Sequence, residues 1–213
     1  MTNYLESTSY LDYDDTNFDE FLKSFEPGIT HQETAVKLYY WVRDAFLYDP
    51  YHLDLTPSGL KGSHILSKKR AWCVEKALLL TACLRKFGIP SRLGYAIVIN
   101  HIGIERLITY LRRNEIVFHG YTEVFLDNKW IKCTPAFDKR ICQIAKVPTL
   151  DWDGKTDSLF QPYASNQKFM EYLHDYGTFE DLPIHLMNEE MKKYYPHLFE
   201  AVYSSKEFSF KHL

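Results

Sequence analysis

From Trp72 to Phe87 the chain runs through good helix formers almost without a break and then meets Gly88 and Pro90. Glycine takes the left-handed position that closes a helix and proline cannot continue one, so a helix is predicted over about residues 72–87. Its apolar residues, Val74, Ala77, Leu78, Leu79, Leu80, Ala82 and Leu84, point almost all round. A helix of that kind must be covered on most sides, so the fold has to be built around it. Cys73 falls in the first turn, where unpaired N–H groups and the positive end of the helix dipole favour an anion. The position therefore predicts a lowered thiol pKa and a candidate nucleophile. Inert packing is the commoner fate of a buried cysteine, so the reading needs a partner elsewhere in the chain.

The chain has 213 residues, 46% of them hydrophobic and 16% aromatic, enough for one sizeable core. A single domain over residues 1–213 is expected, with a core at about 31–138 and a C-terminal extension at about 139–213. A net charge of −3 and a pI near 6.3 argue against nucleic-acid binding. Lys68-Lys69-Arg70 and Arg112-Arg113 read as solvated or capping clusters. The polar, acidic N-terminus lacks a signal-like apolar region, and no apolar run is long enough to span a bilayer, so a cytoplasmic protein is expected. Cys73 and Cys83 would lie about 15 Å apart along one helix, too far to bridge, and reduced thiols fit that compartment.

Phe18, Phe21, Leu22 and Phe25 recur at helical spacing after Thr16, a possible cap. Thr30 and Glu33 form a capping-box pattern opening a helix with Val36, Tyr39, Val42 and Phe46 on one stripe, expected to pack on the Cys73 helix. Residues 49–70 read as a loop shaping a cleft, with His52 and His64 as solvated loop histidines. Residues 92–99 read as a strand buried on both faces, and His101 sits at its exit. Ile104, Leu107, Ile108 and Leu111 suggest a short helix. A hairpin follows: residues 115–126, the turn Asp127-Asn128, and residues 129–134. With a two-residue turn, His119 lies opposite Ala136 and Tyr121 opposite Thr134, all on one face. The remainder reads as a short helix over 139–146, an irregular stretch, a helix near 166–176 and a last helix opened by Asn188-Glu189-Glu190.

A thiol in a first helical turn, an imidazole on a later strand and an orienting group on the next strand are what thiol catalysis needs. Cys73 followed by KALLLTACLRKFGIPSR, and HGYTEVFLDNKWIKCTP with Glu123, Trp130 and Pro135 in register, resemble the transglutaminase-like superfamily. The resemblance covers about residues 31–138. It implies an α+β fold with a papain-like core: a central buried helix carrying the cysteine, packed on an antiparallel sheet, with N- and C-terminal helices. It also implies Cys73 as nucleophile and His119 as base. Where the family usually carries a third-position aspartate, this chain has Thr134, whose hydroxyl can orient an imidazole but brings no charge. Asp138, of the same strand parity, is the alternative carboxylate. TPAFD, WDGKTDSLFQPY and MEYLHDYGTF resemble a bacterial subgroup of the superfamily and extend the likeness to about residue 183.

These features imply a thiol-dependent acyl-transfer enzyme, a peptidase or amidase working through a Cys73 thioester on a peptide or amide substrate. Trp72, His101 and Tyr121 are candidate substrate contacts. Transfer to an amine is the alternative chemistry. A non-catalytic interaction module is the alternative class, favoured by Thr134. No cofactor, nucleic acid or membrane partner is expected, and the oligomeric state is left open. A metal site among Cys73, Cys83, Cys133, Cys142 and the histidines lacks short-spaced ligand pairs.

Overall fold

A computed structural model describes residues 2–100, 105–159 and 170–213. Helix α1 (Thr16–Leu22) is capped by Asp15, whose carboxylate accepts from the Asn17 N–H, and not by Thr16, which is already inside the helix. Helix α2 (His31–Ala45) opens with the reciprocal Thr30–Glu33 box and packs against the central helix.

The segment expected as a plain loop is more ordered. Strand β1 (Leu47–Tyr48) comes just before it, and the segment itself holds strand β2 (His52–Asp54), helix α3 (Gly62–Ile65) and the start of strand β3 (Arg70–Ala71). β1 and β3 pair in parallel, aligning Tyr48 with Ala71. These short elements depend on distant or unrelated partners, so no local periodicity marks them.

Helix α4 (Cys73–Lys86) is the centre of the molecule, with every residue from Cys73 to Arg85 buried. The Gly88 N–H reaches the Arg85 carbonyl and the Ile89 N–H the Leu84 carbonyl, a full Schellman closure with Gly88 at φ 71°. Arg85, itself buried, donates to the carbonyls of Ser91, Glu6 and Glu180 and ties this end of the helix to three segments.

Strand β4 (Ser91–Asn100) is followed by helix α5 (Glu105–Leu111), then by β5 (Glu115–Leu126) and β6 (Lys129–Cys133). Asp127 and Asn128 both have positive φ, 48° and 61°, as a tight hairpin turn requires, and Leu126 pairs with Lys129 as expected. The ladder stops at Thr122–Cys133. The next amide, that of Thr134, donates to the Ser158 carbonyl, and Pro135 has no N–H, so the Tyr121–Thr134 and His119–Ala136 pairs do not form.

Helix α6 (Lys139–Ala145) precedes strand β7 (Met170–Phe179), helix α7 (Ile184–Tyr194), helix α8 (Pro196–Glu200) and strands β8 (Tyr203–Ser204) and β9 (Ser209–Lys211). β7 corrects the helix expected near residues 166–176, of which 166–169 lie outside the described residues. Pairing along the whole of β4 overrides the local helical pattern. α7 starts earlier than Asn188, just after Pro183.

The main sheet is antiparallel, in the order β6-β5-β4-β7, and α4 packs against β5 and β4. The fold is α+β with the cysteine-bearing helix at its core. The Thr122 hydroxyl donates to the Ala77 carbonyl and lies 3.2 Å from the Thr81 hydroxyl, joining β5 to the middle of the helix. β9, from the end of the chain, pairs with β2 near its beginning.

Candidate active site at the start of the central helix

Two contacts hold the start of α4. The Trp72 N–H donates to Glu75 Oε2 at 3.2 Å, while Glu75 Oε1 meets Lys68 Nζ at 2.6 Å. Burial pushes the Glu75 carboxyl up to about 7, because the nearby ammonium only partly offsets the loss of water. The backbone of β5 then closes on the helix at Gly120. A Cβ on that residue would stand 2.9 Å from Val74 Cα and 3.0 Å from the Cys73 carbonyl oxygen.

Burial and nearby polar groups pull the Cys73 thiol in opposite directions. The Gly120, Val74 and Cys73 N–H groups and the Tyr48 hydroxyl all act on it, each favouring the thiolate. Burial is the larger effect, since Cys73 is 2% exposed, and it pushes the thiol up to about 11. This corrects the expectation of a lowered pKa: the helix start acts in the predicted direction, but removal of water outweighs it.

His119 is the residue before Gly120 and pairs with Ala96 in β4. It is 1% exposed, and burial pulls its pKa down to about 4, so the imidazole is neutral. Neither ring nitrogen has a hydrogen-bond partner among the described residues. No hydrogen bond among those residues therefore joins His119 to Cys73, Thr134 or Asp138.

The Thr134 hydroxyl is buried without a hydrogen-bond partner among the described residues; burial pushes the nearby Tyr172 phenol up, and the Thr134 hydroxyl opposes that only in small part. The Asp138 carboxylate caps α6, accepting from the Arg140 and Ile141 N–H groups, and its second oxygen accepts from the Tyr48 N–H at 2.7 Å. Asp138 thus positions the tyrosine that reaches Cys73.

Trp72 is buried beside Cys73 with its indole N–H unpartnered among the described residues. Tyr121 belongs to a second apolar cluster with Ala96 and Val98, and its hydroxyl is held by Asp175. His101 lies outside the described residues. His52 is exposed and bonded to Asp49 at 2.9 Å, but it stands in β2, and exposed His64 stands in α3. All four cysteines are free and buried.

Sequence reasoning missed Tyr48 and Gly120. A glycine in mid-strand signals close backbone approach and marked Gly120. Tyr48 carries no such signal, because a two-residue strand places it.

A model of the transglutaminase-like superfamily matches residues 21–135. No curated protein matches the chain. A solved structure from Cytophaga hutchinsonii, described as that of a candidate cysteine protease, is similar at 17% identity and a TM-score of 0.45. The likeness covers 62% of this chain and 40% of that one. No helix among the described residues is long and apolar enough to cross a membrane.

Proposed function

The chain belongs to the transglutaminase-like superfamily, and on that premise we propose that it is a thiol acyl-transfer enzyme, a peptidase or amidase in which Cys73 attacks an amide carbonyl. The observation that carries the reading is the approach of β5 to the first turn of α4: Gly120, the residue after His119, packs against the Cys73 and Val74 backbone, so the candidate base and nucleophile stand on adjoining elements. The first-turn N–H groups of Cys73 and Val74, with the Gly120 N–H and the Tyr48 hydroxyl, favour the thiolate, as a nucleophilic thiol or a nearby oxyanion requires.

His119 serves as the base. As described, the thiol and the imidazole are both held neutral by burial. Water entering with the substrate weakens that effect on both, lowering the thiol pKa and raising that of the imidazole, so the two converge as the site opens. His119 then takes the thiol proton and the sulfur bonds to the carbonyl carbon. The amide C–N bond breaks as the imidazolium returns the proton to the leaving amine. Water, deprotonated by the same imidazole, cleaves the thioester to give the carboxylate and the free thiol. Hydrolysis is preferred here over transfer to an amine because no sequence feature and no feature of the described residues marks an amine acceptor.

One observation favours the non-catalytic reading: the His119 nitrogens lack partners among the described residues. Iodoacetamide alkylation of Cys73 between pH 6 and 10 (roughly spanning the two ordinary values), in wild type and His119→Ala, separates the two. The enzyme reading expects a faster Cys73 reaction with an inflection that depends on His119. A Cys73 rate no higher than that of an ordinary thiol, and indifferent to the substitution, would sink it. Mass spectrometry of the protein after exposure to peptide amides, with and without an added amine, distinguishes hydrolysis from amine transfer.

A further inference from the structure

A cavity of about 20 Å³ lies directly against Cys73. That is room for about one water molecule, so the site as described is closed to any acyl group. Apart from the tyrosine hydroxyls its walls are apolar: Leu53 from β2, Leu107 and Leu111 from α5, Met191 from α7, and the rings of Tyr48 and Tyr195. Among the described residues, no carboxylate, ammonium or guanidinium lines it. A charged cleft of about 490 Å³, which holds Asp49, Lys68, Lys69, Arg70 and Glu75, is separate and shares only Leu53 with it.

The walls differ in what holds them. Tyr195 is fixed, since its hydroxyl donates to the Glu115 carbonyl at 2.6 Å and accepts from the Val117 N–H at 2.9 Å. Met191 is 2% exposed and has an unbranched side chain with three rotatable bonds, the kind that repacks around a guest at low cost. Both lie beyond residue 135, where the family match ends. The wall they build over the thiol thus belongs to this chain's own C-terminal part.

We propose that this cavity is the collapsed form of the subsite for the acyl side of the substrate, and that Leu107, Leu111 and Met191 select an apolar acyl group. The proposal rests on Cys73 being the nucleophile. An apolar chain entering here displaces Met191 and buries its own surface against leucine. A charged one would lose its hydration with no counter-ion in the wall. The substrate class is therefore an amide whose acyl part ends in an aliphatic or similarly apolar side chain.

The test uses three alkylating probes on the full chain: iodoacetamide, N-hexyl iodoacetamide and iodoacetate, with the Cys73 peptide followed by mass spectrometry. Each rate is divided by the rate of the same probe with glutathione. The expected result is a hexyl-to-parent ratio about tenfold above unity, the worth of burying roughly two methylene groups, with iodoacetate slower than iodoacetamide. Met191→Ala widens the wall and raises the hexyl ratio further, whereas Met191→Phe fills it and lowers the ratio. Circular dichroism confirms that both variants are folded. A wild-type ratio equal to that of glutathione, or one that neither substitution moves, overturns the subsite. His119→Ala in the same assay keeps the two ideas apart. An unchanged Cys73 rate counts against the nucleophile while leaving the chain-length ratio to report on the cavity.

Discussion

Cys73 and Cys83 stand on the same helix, both at most 2% exposed, and burial holds both above the ordinary thiol range. Their surroundings differ. Cys83 lies in the apolar core with only the Lys86 charge to favour its anion, whereas at Cys73 three N–H groups and the Tyr48 hydroxyl favour the anion. The donors hold Cys73 at about 11 and Cys83 is pushed further still. Burial does not separate a packing thiol from a reactive one. The difference lies in whether the fold supplies partners for the charge that chemistry would create.

The comparison breaks most readily on activity. Cys73→Ala should reduce turnover of a peptide amide by at least about a thousandfold, while Cys83→Ala should leave it within a few-fold. Equal losses would make the two thiols equivalent and remove the basis for the distinction. Next in size is alkaline stability. A thiol whose folded pKa is raised stabilises the fold fully below its unfolded value of about 9, and that contribution is lost as pH rises through the folded value. For Cys73 the window runs from 9 to about 11, a loss of roughly 2–3 kcal/mol. Urea unfolding of Cys73→Ala across that range should show a flatter profile than wild type. In Cys83→Ala the Cys73 decline should remain.

The two ends of α4 sharpen the contrast through their glycines. Gly120→Ala drives a Cβ into the Val74 and Cys73 backbone, neither of which can rotate away. A cost of about 1–3 kcal/mol is expected, with altered Cys73 alkylation as the strand is pushed off the sulfur. At the other end, Gly88 has open space around it and only its φ of 71° resists a side chain. Gly88→Ala should cost about 1 kcal/mol with no effect on Cys73. Denaturant midpoints and alkylation rates of the pair check this.

What could be read without coordinates follows the same division. α4, its Schellman stop, the capping box of α2 and the Asp127-Asn128 hairpin were legible because each is written within a few adjacent residues. β7 was not, because MEYLHDYGTF is a strand only by virtue of β4 beside it. β1, β2 and β3 were likewise hidden: their partners are one another or a strand at the far end of the chain. In the site, Cys73 was visible as a residue type at a special position, whereas Gly120 was passed over although a mid-strand glycine is a signal of close approach. Tyr48 was not visible, since its place depends on a two-residue pairing and on the Asp138 carboxylate. The closure over Cys73 also escaped notice, because Leu107, Leu111, Met191 and Tyr195 line the cavity at the thiol from distant parts of the chain.

Asp138 allows the finest test. Its oxygens accept from the N–H groups of Tyr48, Arg140 and Ile141, so it acts on Cys73 only at second hand. Tyr48→Phe removes one donor from the sulfur and should slow Cys73 alkylation at pH 9 by up to about tenfold, the worth of one hydrogen bond to a charged acceptor. Asp138→Ala frees the tyrosine backbone and uncaps α6, costing about 1 kcal/mol of stability and slowing alkylation less than Tyr48→Phe does. If the carboxylate works through the tyrosine, the double variant should react no more slowly than Tyr48→Phe alone. Additive losses would mean that Asp138 reaches the thiol by another route. His119 would be the first group to examine, because a carboxylate that orients the imidazole changes its alkylation inflection and not only the rate.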